Sequence, residues 1–193
     1  MLLLIYIMSL TVAVLLHETA HFLIARACKC KVEVYSLGFG KVLYKRKIGK
    51  TIYQFALLPI GGYCKLLGEL EYSKSKYALC NLIYTKKLLI ALAGVVVNLI
   101  IGSILVYIGL KTNNFITYNI GFANVILGVI NTLPIPGFDG WYPLFLLTEK
   151  RIGKKKCCKM LYKMNRIIVI VFTILNILLV MIYWKQFIIL IKS

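Results

Sequence analysis

Residues 88–110 run for 23 positions without a charge. A helix needs about 20 apolar residues to cross the hydrocarbon core of a bilayer, so this stretch is long enough to span one. Three further stretches resemble it. Residues 2–25 are apolar apart from His17, Glu18, Thr19 and His21. Residues 112–138 are uncharged but broken near their end by Pro134, Pro136 and Gly137. Residues 167–184 are uncharged, and the apolar run continues past Lys185 to Ile191. The pattern predicts an α-helical membrane protein with about four transmembrane helices, near 2–25, 88–110, 114–133 and 167–191. With 61% hydrophobic residues and a mean hydropathy of +0.85, the sequence suits neither a soluble domain nor a disordered chain. Four spans consume close to half of the 193 residues. The expectation is therefore one membrane-embedded domain over 1–193, with no second globular domain.

The first span has no basic residue before it, and Arg26, Lys29 and Lys31 after it. A cleaved signal peptide has the reverse order, so the span is expected to be retained with its N-terminus outside. The net charge of +18 is distributed in the same sense: 13 of the 24 basic residues fall in 26–87 and 8 in 150–166. The positive-inside rule places those two loops in the cytoplasm and both chain ends outside. Nothing in the spacing suggests a zinc finger or a basic–aromatic nucleic-acid surface, and nucleic acid is not expected as a partner. The six cysteines (Cys28, Cys30, Cys64, Cys80, Cys157 and Cys158) lie in or beside these loops, and are read as unpaired thiols.

The segment between the first two spans is not simple loop. Residues 32–35, 42–44 and 51–55 are β-branched and aromatic, with Gly38, Gly40 and Gly49 between them, which predicts short strands and tight turns. Residues 51–64 are uncharged over 14 positions, too short to span and suited to a re-entrant element. The expectation is a small membrane-associated β-rich re-entrant element over 32–70. Irregular backbone at that depth is tolerated where it is buried in protein or lines a wet cavity.

The chain has only two histidines, and they sit four apart with a glutamate between, as His17-Glu18-Thr19-Ala20-His21. On a helix both imidazoles share one face and can reach one metal ion. Glu18 points about 100° away, where it can act as general base on water held by that metal. Charged and polar groups inside a membrane helix are costly and are usually functional. A catalytic zinc takes three protein ligands and leaves a fourth position for water. Asp139, the one aspartate in the chain, follows the broken end of the third span and is expected to arrive at the depth of His17 and His21. Glu69, Glu71 and Glu149 are the alternative third ligands. No G-x-S-x-G is present, and any serine or cysteine dyad would have to borrow a histidine from this motif.

Together these segments resemble the site-2 protease family of intramembrane zinc metalloproteases (peptidase family M50) over roughly Leu10 to Lys150. His17, Glu18 and His21 match its H-E-x-x-H. Asn131-Thr-Leu-Pro-Ile-Pro-Gly-Phe-Asp139-Gly140 is similar to its N-x-x-P-x-x-x-x-D-G segment, whose Asp is the third zinc ligand. Ser36–Gly40 and Leu58–Glu69, with Gly61 and Gly62, resemble its membrane-embedded β region, and Gly94-Val-Val-Val-Asn98 its G-x-x-x-N segment. The chain departs from the commoner Asp-Gly-Gly and Ala-Gly-Pro at Trp141 and Val95. Neither PDZ-like nor CBS-like domain is expected, a layout nearer the sporulation branch (stage IV sporulation protein FB type), although the β region is closer to the stress-response branch.

The resemblance implies regulated intramembrane proteolysis, of the pro-sigma-factor or anti-sigma-factor type, with Zn²⁺ on His17, His21 and Asp139. A transmembrane protein substrate is implied as partner, with access controlled by regulatory membrane proteins. Asn131 and Asn98 are amides at membrane depth that can orient the substrate or its oxyanion, or else simply join helices. Gly61 and Gly62 are placed with them as substrate-orienting positions. A client-binding protein without activity, and a metal transporter or sensor, are the competing functions.

Overall fold

The computed structural model describes residues 2–164, 166–168 and 170. Helix α1 covers Leu2–Ala27; strands β1 and β2 cover Val32–Ile48 and Thr51–Leu66. A short 3-10 turn at Leu79–Asn81 leads into α2 (Tyr84–Lys111), α3 (Phe115–Asn131) and α4 (Trp141–Ile152). Two helices, Leu4–Ala27 and Tyr84–Lys111, are long and apolar enough to cross a membrane; α3, with 17 residues, is an apolar helix of shorter length. The fourth expected span, 167–191, lies almost wholly outside the described residues.

Each helix end has a local cause. At the end of α1, Lys29 takes a left-handed conformation (φ 61°). Its N–H donates to the Arg26 carbonyl (3.0 Å), and that of Cys30 to Ala25 (2.8 Å). This is the paired hydrogen bonding of a Schellman end, with lysine in the position that glycine usually takes. Residues 112–114 are the whole connection between α2 and α3, and the Asn114 side chain caps α3 by accepting from Thr117 N–H (3.0 Å). The two helices then approach backbone to backbone at Gly102 and Gly109 of α2 and Gly121 of α3, and Gly128 of α3 receives the Leu99 side chain. Small residues at a membrane helix interface permit that approach.

The β element is more continuous than the sequence suggests. Instead of three short strands there are two long ones, and register shifts let each bend. Val34, Tyr35, Ser36 and Leu37 pair on one side with Ile52 to Phe55 and on the other with Lys65, Cys64, Tyr63 and Gly62. Tyr44 to Ile48 fold back on Phe55 to Thr51 around the turn at Gly49. Residues 62–65 therefore form one edge of the sheet. Phe39, Leu57 and Leu58 are exposed near the bend, as an apolar tip requires if it meets lipid.

A small core joins these parts, with Phe22 and Ala25 of α1, Val32, Leu66, Leu79 and Ile90 packed together. The basic segment after Asp139, read from sequence as loop, is largely helical. Here α4 and the helical residues 154–164 pack through Phe145, Cys157 and Leu161. All six cysteines are free. Burial pushes the Cys30 thiol up to about 12 and those of Cys157 and Cys158 to about 11, so they stay protonated and act as packing residues.

Candidate metal centre

His17 and His21 leave the same face of α1, and their Nε2 atoms lie 3.2 Å apart. Asp139 reaches them from 118 positions along the chain. Beyond Asn131 the chain turns through residues 132–138 and comes back under the end of α3, where the Gly140 N–H donates to the Asn131 carbonyl (2.7 Å). That turn sets Asp139 Oδ2 3.0 Å from the Nε2 atoms of both histidines. The three donor atoms form a triangle with sides of 3.0 to 3.2 Å. Around a tetrahedral zinc with ligand distances of about 2.0–2.2 Å, neighbouring ligand atoms stand roughly 3.3–3.6 Å apart. The triangle is slightly tighter than that and of the same form.

The placement of protons also asks for a cation. His21 Nδ1 lies 2.8 Å from the Ile90 carbonyl, which only accepts, so Nδ1 carries the hydrogen. In the neutral ring Nε2 then presents a lone pair to a carboxylate oxygen 3.0 Å away. Two acceptors at that distance repel unless a positive charge lies between them. A second proton on His21 would satisfy that pair alone. His17 Nε2 faces the same oxygen at 3.0 Å, and the three atoms together suit an ion that all of them reach. Two imidazoles and a carboxylate are a donor set of catalytic zinc. Among the described residues, this is the one group of His, Cys, Asp or Glu side chains close enough to hold a metal.

None of the alternative third ligands joins the three donors. Glu149 is paired with Lys87 (2.6 and 2.7 Å), Glu69 accepts from Leu66 N–H (3.1 Å), and Glu71 is exposed. Helix α2 makes room for the histidines at Gly94. A Cβ there would stand 2.5 to 2.6 Å from the His17 ring and His21 Nε2. Any other residue would push the donors off α2. The need for this glycine was not read from the sequence; the available signal was its position one turn before Asn98 inside an uncharged span.

Beside the donors lies a cavity of about 350 Å³, lined by Glu18, Gly62, Tyr63, Asn131, Asp139 and Tyr142 among others. Gly62 brings the 62–65 edge against α1, because a Cβ there would meet the Ser36 carbonyl at 2.6 Å and come within 3.3 Å of Glu18 Cγ. Gly61 does not line the cavity. It holds a φ of 131° under the Phe39 ring. Asn131 does line it, with Nδ2 donating to the Leu127 carbonyl of its own helix (3.0 Å). Asn98 lies behind the site instead, fully buried, with Nδ2 3.3 Å from His17 Nδ1. Trp141, at the position where the sequence departs from the commoner glycine, opens α4 and lines the cavity wall.

The profile of peptidase family M50 matches residues 5–118, more than half of the chain. The chain belongs to peptidase family M50. The match includes His17, Glu18 and His21 but stops short of Asp139, whose place in the site rests on the geometry above. The chain is 48% identical over 66 residues to the Escherichia coli Regulator of sigma-E protease RseP, covering 33% of this chain and 14% of that protein. It is 39% identical over 104 residues to a Borreliella burgdorferi protein that has zinc metalloprotease in its name, covering 49% and 24%. The chain thus spans a quarter or less of the length of these two relatives. In overall fold it is similar to a site-2 protease from Methanocaldococcus jannaschii, with a TM-score of 0.53 and 22% identity over 89% of this chain and 66% of that one. As a member of this family, with two helices fit to cross a bilayer, the protein is a membrane protein.

Proposed function

We propose that the chain is an intramembrane zinc metalloprotease that hydrolyses peptide bonds of transmembrane proteins. The observation that carries this reading is the convergence of His17, His21 and Asp139 on one point beside Glu18, at a cavity bordered by an open strand edge. His17, His21 and Asp139 would hold the zinc. When bound, the metal supplies Lewis acidity that brings the pKa of a water toward neutrality and polarises the scissile carbonyl. Glu18 takes the proton from the attacking water and delivers it to the leaving amide nitrogen. A substrate helix hides its peptide bonds and has to unwind. The 62–65 edge offers main-chain groups to the unwound strand, as a further strand added to the sheet. Asn131 lines the cavity and keeps a second amide N–H to orient the substrate, and Gly62 keeps that edge clear of side chain.

Glu18→Gln decides the reading, because it alters the base and leaves all three metal donors in place. The variant should bind zinc as the unaltered protein does and fail to cut a co-expressed panel of single-span reporter proteins. Cleavage at the unaltered rate would remove Glu18 from the mechanism and require another base. A client-binding protein or a metal transporter would show no cleavage with either form.

The proposed arrangement in a bacterial cell membrane has four spans, the fourth near 167–191. Both chain ends lie outside, and the metal centre opens toward the cytoplasm past the polar segment 65–80. A reporter fused at 112–114 should then read as external and one at 154–156 as cytoplasmic.

A further inference from the structure

We infer that Asn98 is a positioning residue for the metal: its side-chain oxygen accepts a hydrogen bond from Nδ1–H of His17 and so fixes the tautomer in which His17 Nε2 is free to bind the ion. The inference rests on the metal site proposed above.

The starting point is an exception among the asparagines of α2 and α3. Asn119, Asn124 and Asn131 of α3 each donate from Nδ2 to the carbonyl four residues back, at 2.7, 2.8 and 3.0 Å. The donor of each is met within its own helix, although Asn124 Oδ1 stays buried without a partner among the described residues. Asn98 does otherwise. Its amide is turned across the interface to α1, with one end 3.3 Å from His17 Nδ1, and its Oδ1 is buried with no hydrogen-bond partner among the described residues. No other described contact fixes which end of the amide faces which way. The two ends are nearly the same in shape, so the protonation of His17 decides the orientation.

That protonation follows from His17 Nε2, which stands in the donor triangle 3.0 Å from Asp139 Oδ2. A neutral imidazole that gives its Nε2 lone pair to a metal carries its hydrogen on Nδ1. An N–H at Nδ1 needs an acceptor, and of the two ends of the amide only the oxygen accepts. The oxygen of Asn98 therefore belongs 3.3 Å from His17 Nδ1, where the amide already stands. Both ligands are then held from α2 in the same way, His21 by the Ile90 carbonyl and His17 by the Asn98 carbonyl. Such partners behind a metal-bound histidine typically change metal affinity about 10–100-fold when removed.

With two histidines in the chain, selective ¹⁵N labelling of histidine gives only four ring-nitrogen signals. In the zinc-loaded protein in lipid nanodiscs, both Nδ1 atoms should be protonated and both Nε2 atoms metal-bound. Competition with a chelator should show zinc bound about 10–100-fold more weakly by Asn98→Leu than by the unaltered protein. Asn98→Asp, which keeps the acceptor, should bind within a few-fold, and Asn124→Leu should not differ. Zinc bound equally by Asn98→Leu, or a hydrogen on His17 Nε2 in the loaded protein, would overturn the inference. The ring-nitrogen signals are read on unaltered protein, so they test it even if Asn98→Leu does not fold. If the unaltered protein binds no zinc, the proposed metal site fails, an outcome distinct from a failure of Asn98.

Discussion

Two buried polar clusters hold the chain that follows α3, one against α2 and one against α1, and they are built differently. At one, Lys87 Nζ lies 2.6 and 2.7 Å from the two carboxylate oxygens of Glu149, with the side chains 3% and 16% exposed. A cation meets an anion and each oxygen receives a hydrogen bond, so the pair is complete. At the other, Asp139 meets two imidazoles at 3.0 Å, and the proton of His21 Nδ1 already belongs to the Ile90 carbonyl. The anion is there, but among the described residues no lysine or arginine comes with it in an ion pair. A fold that needed only to fasten α4 to α2 has done so at Lys87. The difference teaches that the second cluster is arranged for an ion, because burying a carboxylate among lone pairs is otherwise costly.

The largest effect should therefore come from Asp139. Asp139→Asn keeps size and removes the anion; zinc bound to the purified protein should be lost by elemental analysis, and cleavage with it. Full zinc content would make the two clusters alike and end the comparison. Next in size, Gly94→Ala should weaken zinc by about 10–100-fold, an effect like that of disturbing groups that orient metal ligands. The added methyl falls on both histidines while α2 itself gains a better helix former. Unchanged zinc affinity would show that the ligands do not depend on close approach to α2.

The two clusters were unequally legible in the sequence. His17, Glu18 and His21 could be read because four-residue spacing inside an apolar span has a direct geometric meaning. Asp139 could be read because it is the one aspartate and follows a broken span. The pair of Lys87 and Glu149 could not be. Lys87 looks like one of several loop lysines marking topology, and Glu149 offers itself only as a third ligand. Nothing local says that residues 141–152 form a helix that returns to the start of α2. The run Trp-Tyr-Pro with a cluster of basic residues after it reads as loop, since Pro143 is acceptable only if it falls in a helix's first turn. The sheet was legible as strands and turns but not as two long bent strands, because the shifts that bend them depend on pairing across the sheet.

The smallest effect on zinc completes the comparison from the other side. Lys87→Met alone leaves Glu149 buried without its cation and should cost about 3–5 kcal/mol of stability, the usual consequence of breaking a buried pair from one end. Lys87→Met with Glu149→Leu removes both charges and should recover most of that loss, because packed apolar groups replace a buried pair at little cost. Resistance to unfolding by denaturing detergent in mixed micelles measures both. Zinc affinity should stay that of the unaltered protein in the double variant, since neither residue is among the donors. If the double variant is stable and yet binds zinc poorly, then the closed pair also holds the metal site in shape. The division between a cluster that fastens the fold and one arranged for an ion would have to be given up.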